Sequence, residues 1–224
     1  MTSARYRDRV QAGQRLVTEL REYVGKKDTV ILAIPRGGVI LGYEVAVALE
    51  APLDVIVPRK IGAPGNPEFA VGAVTEDGTA VLNRSTVNML GITERQLKKT
   101  IDEEVAEVKR RIKTYRGEED PVSLTGKTAI IVDDGLATGA TMKAAVAAAK
   151  GRGASRIVVA VPVAPPEAVK ELSKEVDEVI CPLVYEAFYA IGQFYDDFSQ
   201  VEDEQVITLL RLAREKTRNA QDHS

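Results

Sequence analysis

The chain has 224 residues, of which 45% are hydrophobic and 28% charged, enough to core one large α/β domain and too apolar for general disorder. Lys and Arg number 30 against 33 Asp and Glu, a net charge of -3 that draws neither nucleic acid nor an anionic membrane, and the absence of Trp with 5% aromatics argues against stacking platforms for single strands. One cysteine, Cys181, excludes an internal disulfide and fits a reducing compartment, and one histidine, His223, excludes His-based triads and multi-His metal sites.

The N-terminus carries charge with no apolar stretch behind it, so no signal peptide is expected. No apolar run reaches the ~20 residues of a spanning helix, and a soluble cytoplasmic protein is the expectation. From about residue 8 to 24, Val10, Val17, Leu20 and Val24 recur at helical spacing and predict an amphipathic opening helix. Residues 29–34 are a continuous apolar, β-branched run, the pattern of a strand buried on both faces. Pro35-Arg36-Gly37-Gly38 breaks it, and a helix follows from Val39 to Glu50. Residues 52–57 predict a second strand, and the Gly- and Pro-rich stretch from Pro58 to Pro67 a loop. Segments around 70–75 and 79–83 flank Asp77-Gly78, a hairpin signal because Asp-Gly supports positive φ.

Leu97, Ile101, Val105, Val108, Ile112 and Tyr115 recur every three or four residues and predict a long surface helix over about 93–116. A third buried strand is expected at 128–132, then an Ala-rich helix from Thr141 to Lys150. Strands at 156–161 and 178–181 enclose a helix from Pro166 to about Glu175, and a last amphipathic helix covers about 202–214. Strands alternating with helices imply right-handed crossovers and a mainly parallel sheet, with ligands beyond the carboxyl ends of the strands. The fold class expected is α/β: a twisted sheet of about five strands flanked by helices, read as one domain over 1–224.

Chemistry concentrates in the stretch from Ile130 to Thr141. An apolar strand ends in two carboxylates, Asp133 and Asp134, and a small-residue loop with Thr138, Gly139 and Thr141 runs straight into a helix. Amides at a helix N-terminus, with two hydroxyls, make a cup for a phosphate dianion, and glycine lets the backbone approach it. The carboxylates are repelled by that phosphate and suit hydroxyls or a cation held by the same ligand. A sugar phosphate meets both conditions. Paired aspartates could instead cap the helix or hold Mg²⁺ as in ATPases, but the chain has no Gly-x-x-x-x-Gly-Lys-Ser/Thr loop and no Gly-x-Gly-x-x-Gly after a strand.

Residues 132–141, Val-Asp-Asp-Gly-Leu-Ala-Thr-Gly-Ala-Thr, resemble the 5-phosphoribosyl-1-pyrophosphate (PRPP) motif of type I phosphoribosyltransferases. The resemblance implies that Asp133 and Asp134 bind the ribose 2- and 3-hydroxyls, and that Ala137, Thr138, Gly139, Ala140 and Thr141 wrap the 5-phosphate. Arg36, Gly37 and Gly38 stand where that family places its pyrophosphate loop. Arg59 and Lys60 are similar to the Arg-Lys segments of adenine and orotate phosphoribosyltransferases, where they lead into a mobile loop over the leaving pyrophosphate. A lid or insert over about 61–118 follows from this likeness. Residues 188–198, five of them aromatic, resemble the hood of hypoxanthine-guanine enzymes. The hood would cover about 182–200, with Phe188 or Tyr189 stacking on a base, Asp196 or Asp197 meeting a cation or a base N–H, and a polar tail at about 216–224.

The 6-oxopurine enzymes carry an acid directly before Thr-Gly, and Ala137 stands there, as in the adenine and orotate enzymes; this counts against hypoxanthine, guanine or xanthine. Glu68 in the lid is the candidate acid/base. The implied activity is Mg²⁺-dependent transfer from PRPP to a nitrogenous acceptor with release of pyrophosphate, with Asp133, Asp134 and Asp196 as metal candidates. A non-catalytic PRPP sensor is the alternative, and a Mg²⁺-dependent phosphohydrolase with Asp133 as nucleophile a weaker one. The resemblance and the long helix are compatible with a homodimer.

Overall fold

Strands β1 (Thr29–Ala33) and β6 (Thr128–Val132) are buried along their whole length, as their unbroken apolar runs require in a sheet covered on both faces. The computed structural model describes residues 5–74, 78 and 80–222. With β2 (Leu53–Val55), β7 (Arg156–Ala160) and β9 (Glu178–Ile180) they form a five-stranded parallel sheet in the order β2-β1-β6-β7-β9. The expected fold class is therefore observed.

Helices α1 (Arg9–Glu19), α2 (Gly38–Leu49) and α7 (Asp203–Asp222) cover one face, where Ile31, Ala33, Ile130 and Val132 meet Leu16, Leu41 and Leu210. Helices α5 (Ala140–Gly151) and α6 (Pro166–Leu172) cover the other, where Val30, Leu32 and Ile131 meet Met142, Val146 and Leu172. Successive strand residues thus feed opposite cores, the period-2 rule of a strand. Among the described residues no helix is long and apolar enough to cross a membrane.

Between β2 and β6 the chain builds a second layer. Strands β3 (Arg59–Ala63), β4 (Asn66–Val74) and β5 (Ala80–Leu82) pair antiparallel, and helices α3 (Arg84–Met89) and α4 (Glu94–Arg116) follow. Ile61, Val71 and Val74 pack against Leu97 and Val108 in a small core of their own. Thr93 caps α4 in a reciprocal capping box with Gln96, which fixes the helix start where the periodicity placed it.

Four expectations need correction. Residues 59–63 are a strand and not loop, because Ile61 and Ala63 have α4 to pack on, a partner that the Gly and Pro count hides. The opening helix α1 ends at Glu19 and not near 24, and its buried face is Arg9, Ala12, Gly13 and Leu16: of the expected stripe Leu20, just past the helix, is buried while Val10 is exposed and Val24 lies exposed beyond the helix, because the small residues let α1 lie close on α2. Helix α7 continues to Asp222, eight residues past Arg214, with Lys216 over the Tyr43 ring and Arg218 paired with Glu119. A short parallel pair, β8 (Val163–Ala164) with β10 (Leu183–Val184), adds to the expected strands. The strands around Asp77-Gly78 do pair, Val74 opposite Ala80, while turn residues 75–77 and 79 lie outside the described residues, as does His223.

Candidate functional site

Register sets the site. Ala33 of β1 pairs with Val132 of β6, and the Ile34 amide donates to the Val132 carbonyl at 2.9 Å, so both strands end at the same level. Two loops therefore leave side by side: residues 34–37 into α2, and residues 133–139 into α5. The Pro35–Arg36 peptide bond is cis. Gly37 presses on the neighbouring loop, since a Cβ there would overlap Asp134 Oδ2 and stand 2.9 Å from Arg9 Nε. Any side chain at position 37 must displace this contact, so Gly37→Ala is expected to cost about 1–3 kcal/mol by overpacking. A thermal melt indistinguishable from the parent would show that the turn yields freely.

The two carboxylates have different partners. Asp133 Oδ1 accepts the Asp134 amide at 2.8 Å. Asp134, 9% exposed, accepts Arg9 Nε on Oδ2 at 2.8 Å, and its main-chain carbonyl accepts the Tyr195 hydroxyl at 2.6 Å. Among the described residues no side chain donates to Asp133 Oδ2 or Asp134 Oδ1. Burial pushes both carboxyls above the usual range, with the Asp134 charge adding to the rise at Asp133. Arg9 opposes the rise at Asp134 by hydrogen bond and charge.

The loop then opens α5. Gly139, at φ 78, supplies the left-handed turn that glycine adopts without strain and is the helix N-cap. Ala137, Thr138, Ala140 and Thr141 are exposed around it. The first turn of a helix leaves its amides without intrahelical partners and favours negative charge there, and this one begins beside the carboxylate pair with Thr138 and Thr141 exposed.

The remaining candidates spread more widely. Arg36 Nη1 lies 3.9 Å from the carboxylates of Glu202 and Asp203 at the start of α7. Arg59 sits on β3 and donates from Nε to Glu104 of α4 at 2.6 Å, while Lys60 is exposed on the same strand. The Phe188 ring lies 5.2 Å from Phe194 in an aromatic cluster with Tyr185, and Tyr189 is 91% exposed. Asp196 faces Arg5 at 4.0 Å, and among the described residues no three His, Cys, Asp or Glu side chains gather to hold a metal ion. Glu68 lies on β4, its side chain outside the described residues. Burial pushes the Cys181 thiol up to about 11, so it stays protonated.

Arg9 is the residue that sequence reasoning missed. A basic residue on an amphipathic helix reads as solvent-facing; here Arg9-Ala12-Gly13-Leu16-Leu20 is the buried stripe. That second stripe, at offsets 3, 4, 7 and 11, was the available signal.

The chain belongs to the phosphoribosyl transferase domain family, whose model matches residues 4–199. Proteins named "Putative phosphoribosyl transferase" from two Mycobacterium tuberculosis strains, CDC 1551 and H37Rv, are 42% identical over 206 residues, covering 92% of this chain. The chain spans 46% of the length of these relatives. The crystal structure of TT1426 from Thermus thermophilus is 41% identical with a TM-score of 0.83, covering 92% of this chain and 97% of that one.

Proposed function

We propose that the chain transfers a 5-phosphoribosyl group from PRPP to a nitrogen of a base-like acceptor, releasing pyrophosphate. The supporting observation is the end of β6: two carboxylates, each with an oxygen to which no side chain among the described residues donates, followed at once by an exposed helix N-terminus. A pentose carrying a 5-phosphate fits both halves. Those oxygens accept the 2- and 3-hydroxyls, and residues 137–141 enclose the phosphate dianion.

In the reaction the C1–O bond to pyrophosphate breaks, and its electron pair leaves with the pyrophosphate. The acceptor nitrogen supplies the pair for the new C1–N bond, and its N–H proton passes to solvent or a nearby base. Positive charge grows on the ribose ring and negative charge on the leaving group, so catalysis is largely electrostatic placement. Asp133 and Asp134 lie on the electron-poor side of the ring, and Arg36, Arg59 and Lys60 are the chain's cations for the leaving group. Two adjacent carboxylate donors suit a hard divalent ion. Mg²⁺ held there by Asp133 and Asp134 would neutralise pyrophosphate charge. The Ala137 side chain carries no acid, which favours acceptors other than 6-oxopurines.

Incubation with PRPP, Mg²⁺ and a panel of nitrogenous bases, followed by assay of released pyrophosphate, tests the reading. Release that depends on one base supports transfer. PRPP binding without turnover on any base would leave a sensor, and no PRPP binding would remove the proposal altogether.

A further inference from the structure

The start of α1 and the segment that leads into α7 meet at Asp134. Arg9, in the first turn of α1, donates from Nε to Asp134 Oδ2 and from Nη1 to the Ser199 carbonyl, each at 2.8 Å. Its guanidinium carbon lies 3.9 Å from the centroid of the Phe198 ring, a cation–π contact on the face left by the two hydrogen bonds. The ion pair is almost sealed, with side-chain exposures of 10% and 12%. Residues 6 and 7 run beside 194–197: the Tyr6 amide donates to the Phe194 carbonyl, and the Asp196 and Asp197 amides donate to the Tyr6 and Arg7 carbonyls. Farther along the same stretch, Glu202 and Asp203 face Arg36. A single segment, 195–203, thus spans the pentose carboxylates through Tyr195 and Arg9 and ends on the arginine of the neighbouring turn.

We propose that Arg9 is the positioning residue of the pentose site: it holds the Asp134 carboxylate in one orientation and locks residues 195–203 across it, so that the remaining Asp134 oxygen is set for a ribose hydroxyl before ligand arrives. This rests on the reading of Asp134 as a hydroxyl acceptor. The planar guanidinium fork can serve Asp134 and the Ser199 carbonyl together while its face meets Phe198, whereas a lysine ammonium offers one point of charge and no stacking plane. Orientation set in advance spares the ligand the cost of ordering the carboxylate, and it acts alike on substrate and transition state. Loss of Arg9 should therefore raise KM for PRPP much more than it lowers kcat. A merely structural ion pair would shift the melting temperature and leave that ratio alone.

The test is calorimetric titration of PRPP with Mg²⁺ into the parent, Arg9→Met, Arg9→Lys, Asp134→Asn and the Arg9→Met/Asp134→Asn double variant, each first checked for folding by circular dichroism. Arg9→Met is expected to weaken PRPP binding ~10-fold or more, with Arg9→Lys between it and the parent. In the Asp134→Asn background, the same change should add less than ~2-fold, because the two residues act as one unit. Should Arg9→Met fail to fold, Arg9→Lys in both backgrounds carries the comparison. Parent-like affinity in the Arg9 variants, or an equal loss with and without Asp134, would overturn the role of Arg9 while leaving the functional reading intact. A parent that takes up no PRPP would overturn that functional reading, and the role of Arg9 with it.

Discussion

Replacing Asp134 with asparagine is expected to lower turnover by roughly 10²–10³, the loss typical of one electrostatic contact aimed at developing charge. Asparagine keeps the shape of the side chain, so no cavity opens. It removes the negative charge at the proposed ribose site and half the anionic character of the candidate cation site. The cost to the fold is smaller. Arg9 loses an ionised partner but keeps the Ser199 carbonyl and the Phe198 ring, so stability should fall by about 1–3 kcal/mol. Kinetics and a thermal melt on the same preparation separate the two effects, and near-normal turnover would remove Asp134 from its role. A pH dependence follows from the same pair. Burial raises both carboxyls, so they take up protons above the ordinary value of about 4 as pH falls. PRPP affinity should weaken from that higher pH downward, since a protonated carboxyl is a poorer partner for hydroxyl and cation. For the ligand-free fold the sign reverses: the buried anions cost stability at neutral pH, and that cost disappears on acidification. An affinity flat down to about pH 4 would contradict the assignment of these groups.

The parallel sheet was legible because its strands are short apolar runs bounded by Pro, Gly and Asp, and because a buried parallel strand shows no alternation to misread. The strand, turn and helix start at the end of β6 were legible for a related reason: carboxylates, glycine and threonines fall within a dozen residues, so that local pattern survives without the rest of the fold. What depended on distant partners did not show. Residues 59–63 read as loop because their packing partners, Leu97 and Val108, lie more than thirty residues away. The inward face of α1 is decided by α2 and by Asp134, neither of which its own periodicity contains. Arg59 and Arg36 read as cations awaiting phosphate, yet both already face carboxylates from other elements, Glu104 in one case and Glu202 and Asp203 in the other. Asp54, a single acid inside an apolar strand, is visible in the sequence, but nothing near it in the chain names its partners.

That aspartate carries the largest expected effect on stability. Asp54 is 1% exposed and its carboxylate is crowded with donors. Oδ1 accepts the Val55 amide at 2.8 Å and Arg116 Nε at 3.1 Å. Oδ2 accepts Arg116 Nη2 at 3.0 Å and the Val122 amide at 3.1 Å, with Arg152 Nη2 at 3.6 Å. The paired fork from Arg116 closes the C-terminal end of α4 onto β2, and Arg152, the residue after α5, adds a second guanidinium from another helix. One carboxylate therefore ties the second layer to the main sheet. Asp54→Asn preserves volume but turns one of these oxygens into a donor facing other donors, and it leaves the two guanidiniums without this anion. Removing one partner from a buried ion pair costs about 3–5 kcal/mol. For a chain of this size the melting temperature should fall by roughly 6–20 °C. The contrast is the exposed Lys99–Glu103 pair, with side chains 81% and 66% exposed, where Glu103→Gln should cost less than ~1 kcal/mol. The two variants together distinguish a network that depends on burial from charge loss alone. If Asp54→Asn melts as close to the parent as Glu103→Gln does, α4 is held by its apolar contacts and the carboxylate is dispensable.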